Sequence, residues 1–164
     1  MAENKTDEVN AGGNGGNNPP PQKYRINGFY VKDISFESPN SPKVFTEQPK
    51  QPKLDLSLDV LVGKVDGSAF EVALKVNANA IIADEPDRSL FLVEVIYGGL
   101  FVLNPDLQKE ELEKILFVDC AADVFPYARR IVSELTRDGG FMPLTMEPID
   151  FALLYEQKKA AKPE

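Results

Sequence analysis

Phe70-Glu71-Val72-Ala73-Leu74-Lys75-Val76-Asn77-Ala78-Asn79-Ala80-Ile81-Ile82 is the stretch that decides the fold. Phe70, Val72, Leu74, Val76, Ala78, Ala80 and Ile82 alternate with Glu71, Lys75, Asn77 and Asn79. That is the period of two of a strand with one buried and one polar face. Asp66-Gly67, just before it, has the chemistry of a hairpin turn. Upstream of the turn Leu54, Leu56, Leu58, Val60 and Val62 alternate with Asp55, Ser57 and Asp59, supplying a partner strand. Downstream, Asp84-Glu85-Pro86-Asp87 turns the chain into Phe91, Val93, Val95 and Tyr97, with Leu92 and Glu94 pointing the opposite way.

Further out, the same period begins at Tyr24. It predicts Ile26, Gly28, Tyr30, Ile34 and Phe36 on one side of a strand and Asp33, Ser35 and Glu37 on the other. Ser38-Pro39-Asn40-Ser41-Pro42 breaks that strand, and Pro49 and Pro52 punctuate the stretch leading to the next one. After Gly98-Gly99 the period lengthens. Gln108 to Phe117 reads as a short helix and Val124 to Arg137 as a longer one closed by Gly139-Gly140, with Phe125-Pro126-Tyr127-Ala128-Arg129 fitting helix-start chemistry. Asp150 is placed to cap a last helix whose Phe151, Leu154 and Tyr155 share a face. Four antiparallel strands followed by helices make the fold class α+β.

The 164-residue chain suits one domain. Residues 1–23 are Asn, Gly, Pro and charge, a composition that buries too little apolar surface to offset its ordering entropy, so a disordered head is expected there. The start lacks the basic and apolar regions of a secretion signal, and no apolar run suggests a membrane span, so a cytoplasmic protein without membrane insertion is expected. The net charge of -8 repels phosphate backbones and anionic membranes, arguing against nucleic acid as a partner. With no histidine and one cysteine, disulfide frameworks, zinc fingers and Ser/His/Asp triads lack their parts. Cys120, in a largely apolar stretch and without a basic neighbour, reads as packing.

The acidic excess is concentrated in the sheet half, where residues 54–103 carry eight acids against three bases. Such carboxylates make either a solvated sheet face or a surface for a basic partner. Neither Asp55–Asp59 nor the Asp84–Asp87 turn has the glycine and distal glutamate of a calcium loop, so no metal is expected. Phe141 to Ile149 is extended, proline-broken and holds two of the three methionines. Methionine adapts to varied apolar partners, so this stretch either walls a promiscuous groove or pins the last helix to the core. An enzyme using carboxylates, or Tyr127 with Arg129, is a third class, set aside because those residues fit packing and helix-start chemistry.

Three stretches together are similar to the SecB protein-export chaperone family. They are Tyr30-Val31-Lys32-Asp33-Ile34-Ser35-Phe36-Glu37-Ser38-Pro39-Asn40, Phe91-Leu92-Val93-Glu94-Val95 before Gly98-Gly99, and Phe125-Pro126-Tyr127-Ala128-Arg129. With Pro143, Pro148 and Asp150-Phe151 in order behind them, the resemblance covers residues 24–157, leaving 158–164 as a flexible tail. It implies a four-stranded antiparallel sheet with helices on one face, a homotetramer built as a dimer of dimers, and an ATP-independent holdase rather than an enzyme. No cofactor is expected. The implied partners are unfolded precursor proteins and the SecA translocation ATPase.

By position, the resemblance puts SecA docking on Asp33, Glu37, Leu92 and Glu94. It puts the client groove on Phe141, Met142, Leu144, Met146, Phe151 and Tyr155, and subunit interface or core on Val93, Val95 and Tyr97. The head matches no family motif, and the short tail leaves a second SecA contact open. A SecB-like chaperone dedicated to an antitoxin or another narrow client is the alternative within the same fold, and intact acidic docking positions favour export.

Overall fold

Strands β1 (Tyr24–Glu37), β2 (Pro52–Asp66), β3 (Ala69–Ile82) and β4 (Glu85–Leu103) form one antiparallel sheet in the order β1-β4-β3-β2. The structure, a computed structural model, describes residues 22–47 and 51–161. Most of the expected head, residues 1–21, therefore lies outside the described residues, as do 162–164 of the expected tail.

The β2–β3 hairpin turns at Gly67, whose φ of 49° is the left-handed conformation that glycine adopts without a Cβ clash. β1 pairs with β4 and not with its sequence neighbour β2, so the segment after β1 must cross from one edge of the sheet to the other.

β4 is longer than the sequence predicts, beginning at Glu85 inside the expected turn and running through Gly98-Gly99 to Leu103. The glycines do not end the strand; they make room for rings. A Cβ on Gly98 would lie 2.9 Å from the Tyr30 ring on one face, and a Cβ on Gly99 2.6 Å from Phe101 and 3.1 Å from Phe29 on the other.

β1 departs most from a single alternation. Register shifts between Ile26 and Gly28 and between Val31 and Asp33 make Asn27 and Lys32 extra residues, each of which flips the phase of the residues after it. Tyr24, Ile26, Phe29, Val31, Ile34 and Phe36 consequently lie opposite the buried β4 row of Leu103, Phe101, Gly99, Tyr97, Val95 and Val93. Gly28 and Tyr30, expected with Ile34 and Phe36, instead share the opposite face with Asp33, Ser35 and Glu37.

One helical rod covers a single face of the sheet. α1 (Lys109–Lys114), a π-helical stretch (Ile115–Cys120) and α2 (Ala121–Asp138) follow one another without a break, where the sequence predicts two separate helices. Pro126 therefore lies inside α2 rather than at its start. An interior proline costs a helix about 3 kcal/mol. The rod continues regardless because Ile115, Leu116, Cys120, Ala121, Val124, Phe125, Ala128 and Val132 form one buried stripe against Val72, Leu74, Val76, Val93, Val95 and Phe101. Burying one such side chain contributes roughly 1.5–3 kcal/mol, so two or three of them outweigh the proline.

Gly140, with φ 86°, closes α2 as expected, and Phe141 N–H donates back to the Thr136 carbonyl at 3.0 Å. Asp150 caps α3 (Phe151–Ala161) by accepting from Leu153 N–H at 2.9 Å. Lys158 to Ala161, expected from the sequence to belong to a flexible tail, continue this helix.

Candidate binding surfaces

Two surfaces stand out, and they lie on opposite faces of the sheet. The first is the face free of helices. Glu37 is directly opposite Leu92 across the β1–β4 ladder, Ser35 is opposite Glu94, and Asp33 is opposite Ile96. The four expected docking residues are thus brought together on one rigid patch, with Glu94 diagonal to both Asp33 and Glu37. Lys75 of β3 reaches the patch, its Nζ 3.2 Å from Glu94 Oε2.

A polar cluster sits beside this patch on the same face. Tyr30 Oη donates to Glu71 Oε1 at 2.6 Å, and Lys32 Nζ contacts Glu71 Oε2 at 2.7 Å. Partial burial opposes ionisation of the Glu71 carboxyl, but the hydrogen bonds from Lys32 and Tyr30 and the Lys32 charge outweigh it and hold the carboxyl below its usual range. Burial, then the hydrogen bond and charge of Glu71, push the Tyr30 phenol up to about 12.

The second surface is an apolar groove of about 580 Å³ on the helix side, at the sheet end where β3 meets β4. The loop after α2 forms one wall with Phe141, Met142 and Leu144, Leu54 and Ala80 contribute from β2 and β3, and Leu90 and Phe91 from β4. Met142 is 89% exposed, an unusual position for methionine in a well-packed chain. Thr136 pins this wall. Its buried hydroxyl donates toward the Val132 and Ser133 carbonyls at 3.1 and 3.0 Å and accepts from Leu144 N–H at 2.9 Å.

The opposite wall is one that sequence reasoning missed. After β1 the chain makes a 3-10 turn (Lys43–Phe45) that sets Val44 and Phe45 across the groove, with the Phe45 ring 5.1 Å from that of Phe141. Phe45 is 51% exposed and also packs over Gly140, where a Cβ would come within 3.1 Å of its ring. The available signal was an isolated Val-Phe pair in a proline-rich crossing segment.

The remaining groove candidates do not line this groove. Met146, Phe151 and Tyr155 are buried at 2%, 4% and 8% exposure, with Phe151 edge-on to Phe125 and Tyr155 stacked on Phe117. In the protomer they pin the loop and α3 to the core. Val93, Val95 and Tyr97 are also core, on the helix face, Tyr97 stacking on Tyr127 with ring centroids 5.7 Å apart. Arg129 and Tyr127 lie on α2 within the described rod, and Tyr127 is engaged by Phe29 and Tyr97. Burial, followed by the charges of Asp123 and Asp119, raises the Cys120 thiol well above its ordinary range, away from the thiolate that reactivity needs. Among the described residues no cluster of three or more acidic, histidine or cysteine side chains is placed to hold a metal. No helix among them is long and apolar enough to cross a membrane.

Comparison with known proteins gives consistent results. The sequence pattern of the family described as preprotein translocase subunit SecB matches residues 17–162. The protein-export protein SecB of Parvibaculum lavamentivorans is 40% identical, with all of this chain and 95% of that protein covered. The protein of the same name from Mesorhizobium japonicum is 38% identical, with 98% and 93% covered. Among solved structures, a SecB-like chaperone of Mycobacterium tuberculosis, in complex with a peptide from an antitoxin, superposes with a TM-score of 0.64. It covers 77% of this chain and 91% of its own at 20% identity, and so speaks to the fold.

Proposed function

The chain belongs to the SecB family, and from that premise we propose that it is an ATP-independent, non-enzymatic chaperone of protein export that holds precursor proteins unfolded and delivers them to SecA. The observation that carries this reading is the open apolar groove between Phe45 and Phe141, with Met142 exposed at its lip. Aromatic and methionine side chains around a cleft offer area and polarizability without demanding a particular sequence.

A protein that binds only the unfolded state lowers its free concentration by mass action, which delays folding and aggregation without ATP. Release occurs when a competing partner takes the client. Asp33, Glu37, Leu92 and Glu94 suit that partner's docking, since carboxylates on a rigid sheet steer a basic module and Leu92 supplies an apolar contact. Docking and holding then occupy different faces, so a loaded chaperone still presents its docking patch.

The binding domain spans residues 24–157 and assembles as a dimer of dimers in the cytoplasm. Assembly is supported by β1, an edge strand on whose helix side Ile26, Val31 and Ile34 stay exposed in the protomer. In the tetramer one extended client engages several grooves, and effective concentration sums weak contacts into tight binding.

Titration of the purified protein with an unfolded secretory precursor and, separately, with SecA tests the reading. Binding of both is expected. Binding of the precursor without SecA would replace export with service to a narrow client, and binding of neither would overturn the chaperone reading.

A further inference from the structure

Among the described residues, the wall that carries Phe45 is held to the sheet by three polar side-chain contacts to consecutive residues of β4. Close to β1, Ser38 Oγ donates to the Leu90 carbonyl at 3.1 Å and Asn40 Nδ2 donates to the Ser89 carbonyl at 2.7 Å. Beyond the 3-10 turn, Arg88 Nη2 lies 2.6 Å from Glu47 Oε2, an ion pair whose alignment is not that of a hydrogen bond. The guanidinium is itself oriented from the other side, Nη1 donating to Glu85 Oε2 at 3.2 Å.

Glu47 follows Phe45 by two residues, and Arg88 meets it from β4; neither belongs to the central core. The Arg88 side chain is 19% exposed and that of Glu47 31%, so the pair is partly shielded from water, and Glu47 also lines the groove. Lys43 is the nearest other cation to Glu47 among the described ion pairs, at 3.8 Å and 76% exposed, and it belongs to the wall itself. It cannot tie the wall to the sheet. The Ser38 and Asn40 contacts fix where the wall leaves β1, whereas Arg88 fixes the far end, past the ring that faces Phe141.

The geometry points to Arg88 as a positioning residue for client binding: by gripping Glu47 it holds the Val44–Phe45 wall at its spacing from Phe141 and thereby sets how long a bound segment stays. This rests on the holdase reading above. Without the grip, Phe45 retains its ring contact and Gly140 seat, so the groove still forms, but it widens more often. Loss of a partly shielded charge pair acts on departure more than arrival.

The test uses the full-length protein and a reduced, carbamidomethylated globular protein as a permanently unfolded client, with dissociation followed by fluorescence between low and moderate salt. Arg88→Met, which keeps the apolar stem, and Glu47→Gln should each speed client release about tenfold with little change in association rate. Intact protein should release faster as salt rises, and both variants should lose that salt dependence. Arg88→Lys should restore much of the residence time and the salt response. Glu47→Gln alters the wall without touching β4, so the experiment survives a folding defect in Arg88→Met. If intact protein holds the client and Glu47→Gln releases it at the same rate and salt slope, the positioning role is overturned while the chaperone reading stands. If intact protein fails to hold the client, the chaperone reading itself falls.

Discussion

Glu37 of β1 stands directly across from Leu92 of β4 on the sheet face that carries no helix. The next pair on the same face, Ser35 and Glu94, places the second carboxylate two residues along the ladder. Removing either carboxylate leaves the helix side untouched. Glu37→Ala and Glu94→Ala should therefore weaken SecA binding roughly threefold to tenfold at low salt, mainly through association rate, and the difference should shrink as salt rises. Affinity for an unfolded precursor should not change. Loss of precursor binding in either variant would show that the two faces are not independent.

Lys75 opposes that patch from within the protein, since its ammonium lies 3.2 Å from Glu94. Both groups are about a third or more exposed, so the pair contributes little to stability. Lys75→Ala should leave thermal unfolding within about 1 °C and make SecA binding about twofold tighter at low salt, as an uncompensated carboxylate attracts a basic module more strongly. Weaker binding would mean that Lys75 itself touches the partner.

Met142 and Phe141 should separate groove function from folding. Met142 is almost wholly exposed, so Met142→Ala should change stability by less than about 0.5 kcal/mol yet shorten client residence several-fold. Phe141 packs on Phe36, Phe45 and Phe91, so Phe141→Ala should lower both stability and client affinity. Denaturant melts beside client titrations distinguish the two.

Gly99 is a packing prediction independent of function. Its Cβ would enter the fully buried Phe101 ring, which has no room to retreat, so Gly99→Ala should destabilise by about 1–3 kcal/mol in urea melts. An unchanged midpoint would refute the close ring contact.

The Tyr30–Glu71 pair gives opposite pH signatures. The Tyr30 phenol is raised from 10.0 to about 12, so the folded state keeps a proton that the unfolded state releases in that window, and stability falls as pH rises through it. Tyr30→Phe should flatten the wild-type decline between pH 10 and 12. The Glu71 carboxyl is lowered, so its contribution is present above the ordinary carboxylate value of 4.5 and lost as pH falls through its lower folded value. Glu71→Gln should remove that acid-side loss, measured by thermal melts across pH 3 to 5.

Much of the architecture was legible because it is local. Alternation in β2 and β3, the turn at Asp66-Gly67, the stop at Gly139-Gly140 and the cap at Asp150 each arise from side chains within a few residues of where they act. The two bulges in β1 were also encoded, though not as a simple alternation. Tyr24, Ile26, Phe29, Val31, Ile34 and Phe36 step by two and three in turn, the spacing of a strand that gains an extra residue twice. Gly98-Gly99 and Pro126 misled for one reason: residues that usually punctuate an element are retained inside it when burial outweighs their cost.

By itself, the sequence determined the family, the strand-then-helix order and the acidic residues of one sheet face, because period, turn chemistry and charge are written along the chain. Tertiary structure alone decided that Phe45 faces Phe141, that Arg88 grips Glu47, and that Met146, Phe151 and Tyr155 are spent on the core. These relationships join segments far apart in the chain. Which distant side chains meet is set by the crossing of the sheet from β1 to β2 and by competition for a limited apolar interior, neither of which any one stretch specifies.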